Sequence, residues 1–130
     1  MTQLSVLYVD DEPDIREVAV ISLELDPGIE VRTAASGAAA LDALEDRSWA
    51  PAVILLDVMM PVLDGPGTLA RLRQLPPHAA TPVVFITARA QAHEQSRLLA
   101  LGAVGVISKP FDPMSLATQL RAILADDRRS

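Results

Sequence analysis

The charged residues that could do chemistry in this sequence stand at the ends of apolar runs. Asp10 and Asp11 follow one run, Asp57 ends another, and Lys109, the only lysine, follows a third. A buried carboxylate costs several kcal/mol unless it is paired or bound to a metal, so like charges do not gather in an interior without a reason. One divalent cation together with Lys109 would neutralise the three carboxylates. The sequence therefore predicts a shared cation-binding site.

Five short apolar runs are predicted to be the strands that carry these residues. They span residues 4–9, 29–33, 52–56, 83–86 and 104–107. Four of them are nearly continuous in hydrophobicity, which is typical of parallel strands covered on both faces. The run 29–33 alternates apolar and polar residues, and this pattern favours an edge strand with one wetter face.

Segments of helical period lie between the strands. The apolar stripes are Ile15, Val18, Ala19, Ser22 and Leu25; Leu69, Leu72 and Leu75; and Leu116, Leu120, Ile123 and Leu124. These spacings place the apolar residues on one face of a helix. The segment 90–101 predicts a further, weakly anchored helix, and Asp112 followed by Pro113 predicts the start of the last helix, which runs to about residue 124. Strands that alternate with helices indicate an α/β fold.

The predicted fold is a doubly wound, five-stranded parallel sheet of order 2-1-3-4-5, as in flavodoxin-like proteins. In such a sheet, ligands bind beyond the carboxyl ends of the strands, where the strand order reverses. Strands one and three flank that reversal, which brings the three carboxylates side by side. Thr87 and Lys109 follow strands four and five, so we expect them on the same edge of the sheet.

Composition limits the classes of protein to which the chain can belong. Its 130 residues, half of them apolar, fit one domain, predicted to cover residues 1–125 with a short polar tail at 126–130. The absence of cysteine, of a signal peptide and of a membrane span favours a cytoplasmic protein. A net charge of −6 without a cluster of arginines argues against direct nucleic-acid binding.

Four short segments make the sequence resemble the response-regulator receiver domains, the family that includes the chemotaxis protein CheY. They are Val-Asp-Asp-Glu-Pro at 9–13, Leu-Leu-Asp-Val-Met-Met-Pro at 55–61 with Asp-Gly at 64–65, Ile-Thr-Ala at 86–88, and Lys-Pro-Phe at 109–111. Each segment alone is a weak signal, whereas four in this order at predicted strand ends are highly specific. The resemblance spans nearly the whole chain.

The resemblance implies a role for each residue at the sheet edge. Asp57 becomes the phosphoacceptor, and Thr87 and Lys109 bind the oxygens of the phosphoryl group. The Lys109–Pro110 peptide bond is expected to be cis. A sensor histidine kinase or a histidine phosphotransfer protein is the implied donor, with an unknown downstream protein as target.

The resemblance also implies Mg²⁺ as the cation. Asp11 and Asp57 are its expected ligands, with the backbone carbonyl of Met59, and Asp10 acts through a metal-bound water. Magnesium prefers octahedral oxygen ligands and keeps several waters, which suits this set. The domain is then a signalling module that assists its own phosphorylation and dephosphorylation and is not an enzyme in the ordinary sense.

Rival classes make different demands on the same residues. An aspartate-nucleophile phosphatase of the haloacid dehalogenase kind places an acid two residues after the nucleophile, where this sequence has Met59. A flavin binder needs a phosphate loop rich in Ser, Thr and Gly after the first strand, where Asp10 and Asp11 would repel phosphate. A purely structural interaction domain stays open, and binding of beryllofluoride with magnesium would distinguish a receiver from all three.

Some positions depart from the usual receiver pattern. Val106 stands where many receivers carry the aromatic residue that swings inward on activation, so output is expected to use helix and backbone shifts. Met59 and Arg89 lie two residues after Asp57 and Thr87 and are predicted to slow loss of the phosphoryl group. The fourth helix, fifth strand and fifth helix form the expected output face, with self-association among its uses. His78 and His93 are isolated in sequence and are predicted to be non-catalytic.

Overall fold

A computed structural model describes residues 3–129 of the chain, and the side chains of residues 3–127. Its strands are β1 (Leu4–Val9), β2 (Ile29–Ala34), β3 (Val53–Asp57), β4 (Val83–Thr87) and β5 (Gly105–Ser108). Its α-helices are α1 (Pro13–Glu24), α2 (Gly37–Glu45), α3 (Gly65–Leu72), α4 (Ala92–Ala100) and α5 (Leu116–Arg129), with a short 3₁₀ helix at Pro76–His78. Within this part of the chain, no helix has the length and apolar character needed to cross a membrane.

The strands form one parallel sheet of order β2-β1-β3-β4-β5, which confirms the predicted fold. The register aligns the strand ends that carry the polar residues. Val9 pairs with Leu56, so the residue after β1 lies level with Asp57. Thr87, the last residue of β4, pairs with Ser108, which directly precedes Lys109. The predicted site residues are therefore delivered to a single edge of the sheet.

Each face of the sheet buries its own apolar cluster, because successive side chains of a strand point to opposite faces. On one face the cluster includes Leu7, Val9, Leu44, Leu69 and Leu98 and packs under α2, α3 and α4. On the other face it includes Val6, Tyr8, Leu23, Leu116 and Leu120 and packs under α1 and α5. With helices on both faces, the sheet edge that carries the polar residues is held rigidly from two sides.

Several sequence-based details are wrong. Leu25 of the predicted α1 stripe is 57% exposed, whereas Leu23 is buried. The helix ends at Glu24, and Leu23 lies on the face that packs against the sheet. Strand β5 is the second edge strand and is only half-buried, so its apolar run did not mean coverage on both faces. Helix α2 was not predicted from an apolar stripe, although it buries Ala40 and Leu44.

The last helix differs from its prediction at both ends. Asp112 accepts from the backbone N–H of Met114 in a turn, so α5 begins at Leu116 and not at Pro113. The helix also continues beyond residue 124 to Arg129, through most of the segment expected to be a tail. Ser130 lies outside the described residues.

Candidate functional site

Four carboxylates gather beyond the carboxyl ends of β1 and β3. One oxygen each from Asp10, Asp11, Glu12 and Asp57 lies within 4.8 Å of all the others. Asp10 is fully buried and Asp57 is 4% exposed. Three of these residues are predicted site residues, whereas Glu12 is not, although its position directly after the acidic pair was a signal in the sequence.

Lys109 extends from the loop after β5 into this cluster. Its ammonium lies 3.0 Å from Asp10 Oδ2, 3.0 Å from Glu12 Oε1 and 3.4 Å from Asp57 Oδ2. Burial alone would lower the pKa of Lys109, but its hydrogen bonds to Glu12 and Asp10 and the charge of Asp57 outweigh burial and raise it. Lys109 is therefore a permanent cation at neutral pH. The Lys109–Pro110 peptide bond is cis, as predicted.

The Asp10 carboxylate accepts three hydrogen bonds. Its Oδ2 accepts from the Tyr8 hydroxyl at 3.0 Å as well as from Lys109, and its Oδ1 accepts from the backbone N–H of Glu12 at 3.0 Å. Arg16 donates to the Asp10 carbonyl at 2.8 Å, which ties α1 to the end of β1. Burial and then the charge of Asp10 raise the pKa of Tyr8, so its hydroxyl stays protonated and acts as a donor.

Of the two buried carboxylates, Asp57 has the longer hydrogen bonds. Burial and the neighbouring charge of Asp10 raise its pKa to about 6, against the lowering effect of Lys109 and of the Met59 backbone N–H. That N–H donates to Asp57 Oδ1 across 3.4 Å. A carboxylate that is poorly stabilised by its surroundings is a better nucleophile and gains more from a bound cation.

Thr87 lies at the predicted edge, but its hydroxyl faces its own turn. Its Oγ1 accepts from the backbone N–H of Arg89 at 3.0 Å. The side chains of Arg89 and Met59 are exposed, Met59 to 73%. Val106 is half-buried and packs against the apolar cluster that lies under α2, α3 and α4.

The loop between β3 and α3 carries an unusual residue. Val62 is fully exposed and has φ of +69°, in the left-handed region that β-branched residues rarely adopt. Two residues later, Asp64 caps α3 by accepting from the backbone N–H of Gly67 at 2.8 Å. The strained position thus lies between the Asp57 strand and a well-formed helix start.

His78 has partners that its sequence context did not indicate. It is 2% exposed, with Nδ1 lying 3.0 Å from Thr81 Oγ1 and Nε2 lying 3.2 Å from the carbonyl of Leu44. Its predicted isolation is therefore wrong, because the fold brings the end of α2 against the loop before β4. His93 is exposed on α4.

The oxygen-rich cluster suits a hard divalent cation. All four carboxylates lie close enough to share one ion, and two of them are buried, where a like-charged pair is costly without a counter-ion. A single ammonium on one side leaves the cluster with net negative charge. The donor chemistry therefore fits Mg²⁺.

The model of the response regulator receiver domain matches residues 6–121. The chain belongs to this receiver domain family. Response regulator Rre1 of Synechocystis is 37% identical over 98% of this chain and 54% of its own length. The transcriptional regulatory protein CseB of Streptomyces avermitilis is 37% identical over 94% of this chain and 49% of its own length.

A solved receiver has the same fold. The chemotaxis response regulator CheY4 of Vibrio cholerae superimposes with a TM-score of 0.84 at 34% identity, over 94% of this chain and 99% of that one. Receiver membership confirms the sequence-based resemblance and makes the protein part of two-component signalling. It also removes the phosphatase and flavin-binding alternatives. The chain spans about half the length of the curated relatives it matches first.

Proposed function

We propose that Asp57 accepts a phosphoryl group from a phosphohistidine on a sensor kinase or a phosphotransfer protein. The observation that carries the proposal is the convergence of Asp57 with Lys109, across 3.4 Å, inside a cluster of carboxylates at one sheet edge. Burial raises the pKa of Asp57 to about 6, so Asp57 is ionised at neutral pH. It can therefore act as a nucleophile without a separate base.

The transfer needs little covalent work from the protein. A carboxylate oxygen of Asp57 bonds to phosphorus while the bond from phosphorus to the donor imidazole nitrogen breaks. The imidazole nitrogen keeps the electron pair of that bond, and the ring takes up a proton from water. Lys109 would then donate to an oxygen of the transferred group, and the Thr87 hydroxyl would turn from Arg89 to do the same.

Asp11, Asp57 and the backbone carbonyl of Met59 would hold Mg²⁺, with Asp10 acting through a water molecule. When bound, Mg²⁺ supplies charge neutralisation to the nucleophile and to the phosphoryl oxygens together. Glu12, which lies in the cluster and binds Lys109 at 3.0 Å, is added to the residues that shape this site. What supports these roles is that four carboxylates, the oxygen ligands that Mg²⁺ prefers, lie within 4.8 Å of one another.

We propose α4, β5 and α5 as the output face, for a downstream protein or for self-association. Helix α4 buries only Leu98, while Leu99 and Leu101 are 45% and 46% exposed. A helix with so little buried apolar surface is easily shifted. The phosphoryl group carries about −1.5 to −2 charges at neutral pH in place of the −1 of the ionised carboxylate, and this change in charge and size can bias such an element.

Other parts of the proposal come from the sequence. A role in relaying phosphoryl groups, and a division into a domain of residues 1–125 and a tail, remain predictions. So do a cytoplasmic location and the ability of the domain to assist its own phosphorylation and dephosphorylation.

Phosphoryl labelling tests the acceptor. Wild-type protein and Asp57→Asn are incubated with Mg²⁺ and acetyl phosphate or a phosphohistidine donor, and acyl phosphate is quantified by intact mass. We expect stoichiometric labelling of wild type and none of Asp57→Asn. Asp42→Asn, which removes an exposed carboxylate elsewhere, is the matched control and should label normally. Full labelling of Asp57→Asn would overturn the assignment.

A further inference from the structure

The Tyr8 hydroxyl shares an acceptor with Lys109. Both lie 3.0 Å from Asp10 Oδ2, and both Tyr8 and Asp10 are fully buried. The tyrosine ring is packed in the apolar cluster under α1 and α5, so the hydroxyl has little freedom to seek another partner. Lys109 is different, since its ammonium already divides its donors among three carboxylates.

This sharing becomes important when a phosphoryl group arrives on Asp57. An ammonium that donates to phosphoryl oxygens must loosen its older contacts, including the one to Asp10. A buried carboxylate oxygen that loses a charged donor pays a large desolvation cost unless another donor remains. The Tyr8 hydroxyl is the donor that stays on Asp10 Oδ2.

We propose that Tyr8 is a positioning residue that keeps Asp10 satisfied while Lys109 transfers from Asp10 to the phosphoryl group. The inference rests on the proposed function, because it requires a phosphoryl group on Asp57 and its contact with Lys109. In this role Tyr8 touches neither the donor nor the phosphoryl group. It acts through Asp10 and lowers the cost of releasing the lysine.

The test compares two ligands in Tyr8→Phe, which removes the hydroxyl and keeps the ring. Beryllofluoride with Mg²⁺ mimics the phosphoryl state, while Mg²⁺ alone leaves Lys109 free to stay on Asp10. We expect the Kd for beryllofluoride to rise about ten-fold or more, the range of a hydrogen bond to a charged group, and the Kd for Mg²⁺ to change much less. Ser22→Ala removes another buried hydroxyl, which donates to the Val18 carbonyl, and should leave both constants unchanged.

A merely structural tyrosine gives a different result. If Tyr8→Phe lowers the melting temperature but binds beryllofluoride as wild type does, or weakens both ligands equally, the inference is wrong. If wild type itself ignores beryllofluoride, the proposed function fails and the inference fails with it. The two failures are therefore distinguishable.

Two measurements on chains with native packing keep the inference testable if Tyr8→Phe does not fold. Tyr8 is the only tyrosine, so 3-fluorotyrosine labels it alone and makes it a stronger donor. This protein should bind beryllofluoride more tightly than wild type, and unchanged or weaker binding would contradict the proposal. Lys109 is the only lysine, so ¹⁵N-lysine gives one ammonium resonance. The resonance should shift on beryllofluoride binding, and a fixed resonance would exclude the lysine transfer.

Discussion

The ammonium of Lys109 donates to the carboxylate of Asp57 across 3.4 Å, a longer contact than the 3.0 Å that separates it from Asp10. The lysine therefore compensates Asp10 better than it compensates Asp57. This inequality fits the raised pKa of Asp57, near 6, whose main causes are burial and the charge of Asp10. The proposed nucleophile is thus a buried carboxylate whose ionised form the fold disfavours.

The first prediction concerns stability without metal. Because the pKa of Asp57 is higher in the folded chain than the ordinary 3.8, the folded state binds the proton more tightly, and stability is lost as pH rises from about 4 to about 6. Asp57→Asn removes this loss, so at neutral pH it should raise the free energy of unfolding by about 1–2 kcal/mol, allowing for the weakened Lys109 contact. Urea unfolding in chelator measures it. Asp42→Asn should have no such effect, and a destabilised Asp57→Asn would contradict the charge argument.

The second prediction concerns the cation. If Mg²⁺ binds the folded cluster as proposed, it should raise the melting temperature, with about 2.7 kcal/mol gained at one hundred times its Kd. Protons compete for Asp57, so the gain should shrink as pH falls below about 6. Thermal unfolding with and without Mg²⁺ at two pH values measures both effects. Asp11→Asn should reduce the gain, and a melting temperature that ignores millimolar Mg²⁺ at low salt would refute the shared site.

The third prediction concerns the lifetime of the phosphoryl group. The Met59 thioether is too weak an acceptor to orient an attacking water, and the Arg89 guanidinium can hold phosphoryl oxygens. Met59→Asn should therefore speed loss of phosphate by roughly ten-fold, a change of about 1.4 kcal/mol in the barrier. Arg89→Glu should also speed it. Decay of purified phosphoprotein measures the rate, and decay at the wild-type rate in both variants would show that these side chains do not control hydrolysis.

The fourth prediction concerns Val62. A left-handed conformation costs an L-residue about 1–2 kcal/mol, and glycine and asparagine avoid most of that cost. Val62→Asn should therefore raise the free energy of unfolding by about 1 kcal/mol. Val62→Ala keeps the unfavourable φ and is the matched control, with little expected gain. Equal stability of all three proteins in urea would mean that the loop relaxes without cost.

The sequence was informative where a hydrophobic pattern within one segment determines a single strand or helix. Period-two and continuous apolar runs located all five strands, and the α/β alternation indicated the fold class, for which 2-1-3-4-5 is a common strand order. Side-chain hydrogen bonds were not predicted from it, either between near neighbours in the chain or between distant elements. The Tyr8 hydroxyl reaches Asp10, two residues further along the chain and just beyond β1, and the Thr87 hydroxyl faces Arg89 through a local turn that a strand pattern does not encode. His78 gained its partners in the same way, from packing of α2 against the loop before β4.

The ion pair between Lys109 and Asp10 joins residues that are 99 positions apart. Lys109 follows the last strand, so a ribosome-bound chain that still lacks β5 has the proposed acceptor, Asp57, but no lysine ammonium beside it. We expect such a chain to be a poor phosphoryl acceptor even when its first four strands have collapsed. A phosphoryl donor in the cell would then phosphorylate only molecules whose synthesis has passed Lys109. Unfinished chains would not compete with them for the donor.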